Sequence, residues 1–126
     1  MNSENCYCGS GKTFDLCCNI YISGKEKAPT ALALMKSRYS AYAAQQADYL
    51  LATTHSSERK YYSREEILKW AAANQWQKLE IISSTENTVK FKAYFKDQNG
   101  SNQVHYEFST FKKENDSWYY IDGKFE

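Results

Sequence analysis

The sequence predicts an α+β fold, with three helices packed over one face of a curved, four-stranded antiparallel sheet behind a cysteine-rich N-terminal loop. Three observations carry that expectation. All four cysteines fall within one stretch, CYCGSGKTFDLCC, from Cys6 to Cys18. From Ala31 into the seventies, apolar residues recur at helical spacing. From Trp76 onward the period becomes two, as in strands with one buried face.

The cysteine loop reads Cys6-x-Cys8, then a spacer, then Cys17-Cys18. A bridge between adjacent cysteines is strained, and a one-residue spacer is hardly better. Zinc takes four thiolates at about 2.3 Å in a tetrahedron, which two close pairs joined by a tight loop can supply. Gly9-Ser10-Gly11 allows positive φ and a chain reversal. Lys12 offsets negative charge, and Phe14 and Leu16 are expected to cover the metal. Zinc bound by thiolates alone has no open position, so such a site is structural or adhesive rather than hydrolytic. Free reduced thiols are the alternative reading.

Residues 19–30, NIYISGKEKAPT, read as a connector. Thr30 is a candidate N-cap for a helix over ALALMKSRYSAYAA, with Leu32, Met35, Tyr39 and Tyr42 toward the core. A second, short helix is expected from Ala47 to about Thr54. The third starts at a capping box, Ser63 and Glu66, with Tyr62 placed to staple onto Ile67, and buries Ile67, Trp70 and Ala71. WQKLEIISS is the first strand. TVKFKAYFK turns Val89, Phe91, Ala93 and Phe95 to one face and a lysine row, Lys90, Lys92 and Lys96, to solvent. Asn99-Gly100 signals a hairpin. The returning strand, QVHYEFSTFK, is expected to point Val104, Tyr106 and Phe108 inward, leaving His105 and Glu107 outside. The last strand, SWYYIDG, ends at Asp122-Gly123, read as a turn.

Length bounds this to one domain with a small appendage: a knuckle over 1–24 and an α+β domain over 25–126. A net charge of +1 gives no electrostatic reason to expect nucleic acid or anionic membrane. No apolar run is long enough to span a bilayer, and the first residues lack the basic and apolar regions of a secretory signal. The expectation is a cytoplasmic protein.

The cysteine stretch resembles the SEC-C zinc motif, C-x-C-x8-C-C, known from the tail of the translocase motor SecA. The resemblance implies Cys6, Cys8, Cys17 and Cys18 as zinc ligands, and the GSGK after Cys8 matches as well. Many such tails have a lysine-rich loop and bind the chaperone SecB; this loop has Lys12 alone, with Asp15. LMKSRYSAY, ADYLLATTH, Trp76 and WYYIDG stand in the order and spacing of the YchJ family. The sequence is therefore similar, from Cys6 to Gly123, to uncharacterised bacterial proteins with an N-terminal SEC-C knuckle. Their middle domain resembles the nuclear-transport-factor-two (ketosteroid-isomerase-like) cone. The resemblance implies a fold and a metal, and no activity.

A cone of this kind leaves a space between helices and sheet. The residues expected around it are Arg38, Tyr39, Tyr42, Asp48, His55, Trp70, Tyr106, Trp118 and Tyr120. Arg38 reads either as the partner of Asp48 in a structural ion pair or as a ligand anchor. His55 reads first as a helix C-terminal cation. With no convincing catalytic group, the expected function is a non-enzymatic adaptor that contacts another protein through the knuckle. Its second domain is then a small-molecule pocket or a homodimerisation scaffold. The alternative is a pocket enzyme, an isomerase, dehydratase or hydrolase acting on a small hydrophobic molecule through Arg38, His55 or Asp48. Redox sensing by the thiols is a third reading.

Overall fold

The computed structural model describes residues 5–125; residues 1–4 and Glu126, the outer ends of the two expected segments, lie outside it. The α+β expectation holds. Four α-helices, α1 (Cys18–Ile22), α2 (Ala31–Ala43), α3 (Ala47–Ala52) and α4 (Arg64–Ala73), precede four strands, β1 (Gln75–Ser84), β2 (Thr88–Lys96), β3 (Asn102–Glu114) and β4 (Ser117–Phe125). The strands form an antiparallel meander in the order β1-β2-β3-β4. The additional helix, α1, occupies part of the stretch read as a connector. No described helix is long and apolar enough to cross a membrane.

The caps fall where the residue types demand. The Thr30 hydroxyl accepts from the Ala33 N–H at 3.0 Å and starts α2. Ser63 Oγ accepts from the Glu66 N–H at 3.1 Å and starts α4. Glu66 closes back on the Ser63 hydroxyl at 3.0 Å, a variant of the capping box.

Helix α2 is buried around most of its circumference, because it serves two neighbours. One face packs on α1 and the cysteines; another packs on the sheet. Leu34, Met35 and Tyr39 share a single core cluster with Cys6, Cys8 and Cys18 and with Leu79, Val89, Phe91 and Phe111 of the sheet. The small Ser37 and Ser40 let the chain approach closely, and both are fully buried.

The inward row of β3 is the reverse of the expected one. Phe91, Ala93 and Val89 of β2 stand opposite Glu107, His105 and Ser109. Opposite residues share a face, so those three and Phe111 point inward. Val104 and Phe108 are on the outer face, 52% and 40% exposed. The cause is the hairpin. A two-residue turn at Asn99-Gly100 would pair Phe91 with Phe108. The loop instead closes by Asp97 N–H to Ser101 O at 2.9 Å, and Asp97 Oδ1 accepts from the Asn99 and Ser101 amides. Gly100 alone takes positive φ, +80°, as in a three-residue loop ending in a left-handed residue. One added residue flips every side chain that follows.

The β3–β4 ladder is also irregular: Thr110 pairs with Asp122 but Phe111 with Tyr120, leaving Ile121 as the extra residue. This bulge re-aims β4 so that Tyr120 and Gly123 lie alongside the inward row of β3. Asp122-Gly123 is thus strand rather than turn. Gly123 is needed for another reason: a Cβ there would fall 2.0 Å from Glu107 Oε2 and 2.7 Å from the Tyr120 hydroxyl oxygen.

Candidate functional site

Two constellations stand out, one on each of two faces of α2. The first is the thiol cluster. The loop reverses through Gly9 and Gly11 at positive φ, and is tied by Cys6 N–H to Lys12 O at 2.8 Å. A turn of 3-10 helix, Phe14–Leu16, then delivers Cys17 and Cys18 to the first pair. All four sulfurs lie within 4.8 Å of one another. Cys8 and Cys17 are 3.7 Å apart, matching the edge of about 3.8 Å of a tetrahedron with 2.3 Å zinc–sulfur bonds. The cysteines are not bridged, and only Cys17 is partly exposed. The donor set therefore fits a tetrahedral, thiophilic metal. The sulfurs sit close enough to shift one another: bonds from Cys18 and Cys8 hold Cys6 well below the ordinary thiol range, whereas the bond to Cys6 pushes Cys18 up. Second neighbours are two hydroxyls, Ser10 Oγ at 3.1 Å from Cys17 Sγ and Ser40 Oγ at 3.5 Å from Cys6 Sγ. Ser40 ties the cluster to α2. Phe14 packs against the cluster, but Leu16, expected to cover it, is 69% exposed.

The second constellation is a cavity of about 470 Å³ between the helices and the inner face of the sheet. Trp76 organises its aromatic wall, with ring centroids 5.7 Å from Tyr42, 6.1 Å from Tyr39 and 6.0 Å from Trp70. Burial pushes the Tyr39 hydroxyl up to about 12. The polar end is built around Glu107, only 7% exposed. Its Oε1 accepts from His105 Nε2 at 2.7 Å; its Oε2 accepts from the Ser109 hydroxyl and, at 3.1 Å, from the Tyr120 hydroxyl. Burial alone would raise the Glu107 carboxyl, but these donors, His105 first, outweigh it and hold it below its ordinary value. The same charge, added to burial, pushes the Tyr120 phenol far up. Arg38 completes the end, with its guanidinium stacked 4.5 Å above the Tyr120 ring.

The structure thus places Arg38, Tyr39, Tyr42, Trp70 and Tyr120 along the cavity; Trp70, expected to be buried like Ile67 and Ala71, is 44% exposed. Tyr106 borders it, but its ring is engaged by Lys90 and Lys92, each 5.3 Å away, on the outer face. Three expected residues lie elsewhere. Asp48 is on the surface and pairs with Arg64 at 2.8 Å, not with Arg38. His55 lies beyond the end of α3, bonded to Ser57 and, at 3.0 Å, to Glu114. Trp118 donates from its indole to the Pro29 carbonyl at 3.3 Å. Conversely, His105, Glu107 and Ser109 face the cavity, the opposite of what the apolar residues of that strand predict. The informative signal was the fixed alternation of β2 combined with loop length.

The family model for the YchJ middle NTF2-like domain matches residues 30–123. The chain belongs to the YchJ family. A UPF0225 protein of Geobacter sulfurreducens is 38% identical over 125 residues, covering 94% of this chain and 77% of that protein. Among solved structures, a SEC-C motif protein from Rhodopseudomonas palustris, determined in solution, superposes with a TM-score of 0.87 at 35% identity over 96% of this chain and 98% of its own. A SEC-C motif protein from Psychrobacter arcticus, determined by crystallography, gives 0.78 at 32% identity over 90% of this chain and 73% of its own. The chain is therefore a SEC-C protein with an NTF2-like domain.

Proposed function

We propose that this YchJ-family chain is a zinc-stapled protein whose NTF2-like domain binds a small organic molecule. One observation carries the ligand-binding part: a cavity of about 470 Å³ that side chains leave open, aromatic along its walls and polar at one end. That volume lies in the range of about 300–1,000 Å³ typical of small-molecule sites. Cys6, Cys8, Cys17 and Cys18 would hold the zinc, which supplies folding energy to a segment too short for a core of its own. Binding is favoured over catalysis by the state of Glu107. A carboxylate held ionised by three donors is a poor proton abstractor and a good fixed acceptor.

The test is a wall substitution. Ala93 is buried and lines the cavity. An open cavity accommodates Ala93→Leu with a stability change under about 1 kcal/mol, where a filled core would lose roughly 1–3. The variant should also abolish the fluorescence gain of N-phenyl-1-naphthylamine, a neutral apolar probe, seen with wild type. Equal fluorescence from both proteins would remove the cavity from consideration.

A second reading, protein contact through the knuckle, is favoured by the exposed Tyr7 and Leu16 at its surface. Leu16→Glu should retain zinc and lose any partner retained by wild type; an unchanged partner set counts against the knuckle as contact element.

A further inference from the structure

Resting on the reading of the cavity as a ligand site, we propose that its ligand is an organic monocarboxylate gripped side-on by Arg38. Arg38 is only 9% exposed. Every hydrogen bond it makes to the protein leaves from one nitrogen, Nη1, toward Leu50 O at 2.9 Å, Thr53 Oγ1 at 2.7 Å and Thr54 Oγ1 at 3.4 Å. All three acceptors are neutral. No ion pair among the described residues includes Arg38: Asp48 pairs with Arg64, and Glu107, the charge at the same end of the cavity, is bonded to His105, Ser109 and Tyr120 instead. A buried guanidinium with no carboxylate in direct contact has bonding capacity to spare.

The rest of the guanidinium shows what completes it. Nε and Nη2 form one edge of the fork and make no hydrogen bond to the described residues. Among the described residues, no fully buried side-chain nitrogen or oxygen lacks a partner. That edge therefore touches open space, and the open space Arg38 lines is the cavity. Two parallel N–H groups match two coplanar carboxylate oxygens. The Tyr120 ring, its centroid 4.5 Å from the guanidinium carbon, packs against it. The ionised Glu107 in the same cavity opposes a dianion, which favours a carboxylate over a phosphate. The Tyr42, Trp76 and Phe91 walls ask for a flat, apolar body behind the charge.

Calorimetric titration of the full chain at pH 7 with 2-naphthoate, its neutral analogue 2-naphthamide and 2-naphthyl phosphate tests this. The acid should bind about tenfold or more tightly than the amide. Arg38→Lys keeps the charge and loses the two-pronged edge; it should erase the acid's advantage over the amide. Because Arg38 also holds Leu50 and Thr53, the variant's fold is checked by circular dichroism. If it does not fold, the acid–amide contrast in wild type decides. Equal binding of acid and amide overturns the Arg38 anchor while leaving the ligand site standing. A phosphate that binds tightest overturns the carboxylate assignment. No binding by any of the three overturns both the anchor and the ligand-site reading.

Discussion

The thiol cluster and the cavity share α2 but are held together in different ways. In the knuckle, all four sulfurs come from one run, Cys6–Cys18, and the loop closes on itself through Cys6 N–H to Lys12 O. Helix α1, five residues long, cannot stand alone. On the zinc reading, the metal and packing against α2 together hold it in place. In the cavity, by contrast, the polar end draws on α2, the Thr53-Thr54 segment, β3 and β4, through Arg38, Glu107 and Tyr120. Which of these groups face the cavity depends on the register of β3 and β4. The first region should fail by loss of an ion, the second by displacement of a side chain.

The largest expected effect is therefore at the cysteines. Cys18→Ser, or removal of metal by a strong chelator, should lower the melting temperature by about 10 °C or more in calorimetry. A wild-type melting temperature for the chelated protein would make the thiols ordinary core residues. The next effect tests the distributed region. Gly123→Ala drives a methyl group into Glu107 and Tyr120, and should cost about 2–3 kcal/mol in urea denaturation. A neutral result would mean that the Glu107 carboxylate is not where β4 passes.

A third, smaller effect separates the regions by pH. Glu107 sits below its ordinary value of 4.5, so at mildly acid pH the native state binds fewer protons there than the unfolded chain does. Its contribution is complete above 4.5 and is lost as pH falls through the lower, native value. Glu107→Gln should cost about 1–3 kcal/mol at pH 7 and flatten the acid limb of the stability curve. Superimposable acid limbs for the two proteins would contradict this. The smallest effect is at Asp48, 80% exposed in its pair with Arg64. Asp48→Asn should change stability by under about 0.5 kcal/mol. A larger loss would revive a buried role for Asp48.

The same contrast explains what could be read in advance. The cysteine spacing, the Thr30 and Ser63 caps and the alternation of β2 are local, and each fell where the residues indicated. The polar end of the cavity was not legible, because its phase was decided by a single loop residue and by the bulge at Ile121. Val104, Tyr106 and Phe108 are the more apolar set, and hydrophobic pattern alone sends them inward. Pairing with Phe91 and Ala93 sends His105 and Glu107 there instead. The Arg38–Asp48 pair failed for a related reason. The α3–α4 packing brings Arg64 to Asp48, and Arg38 turns toward Leu50 and Tyr120. Chemistry that breaks the apolar pattern of a strand is the chemistry a pattern reading discards.

The most direct test of the account is a native mass spectrum of freshly purified, untagged protein. The wild type should carry one zinc per chain, lost in Cys17→Ser, and show a folded charge-state distribution. A metal-free wild type with four free, reactive thiols would contradict it.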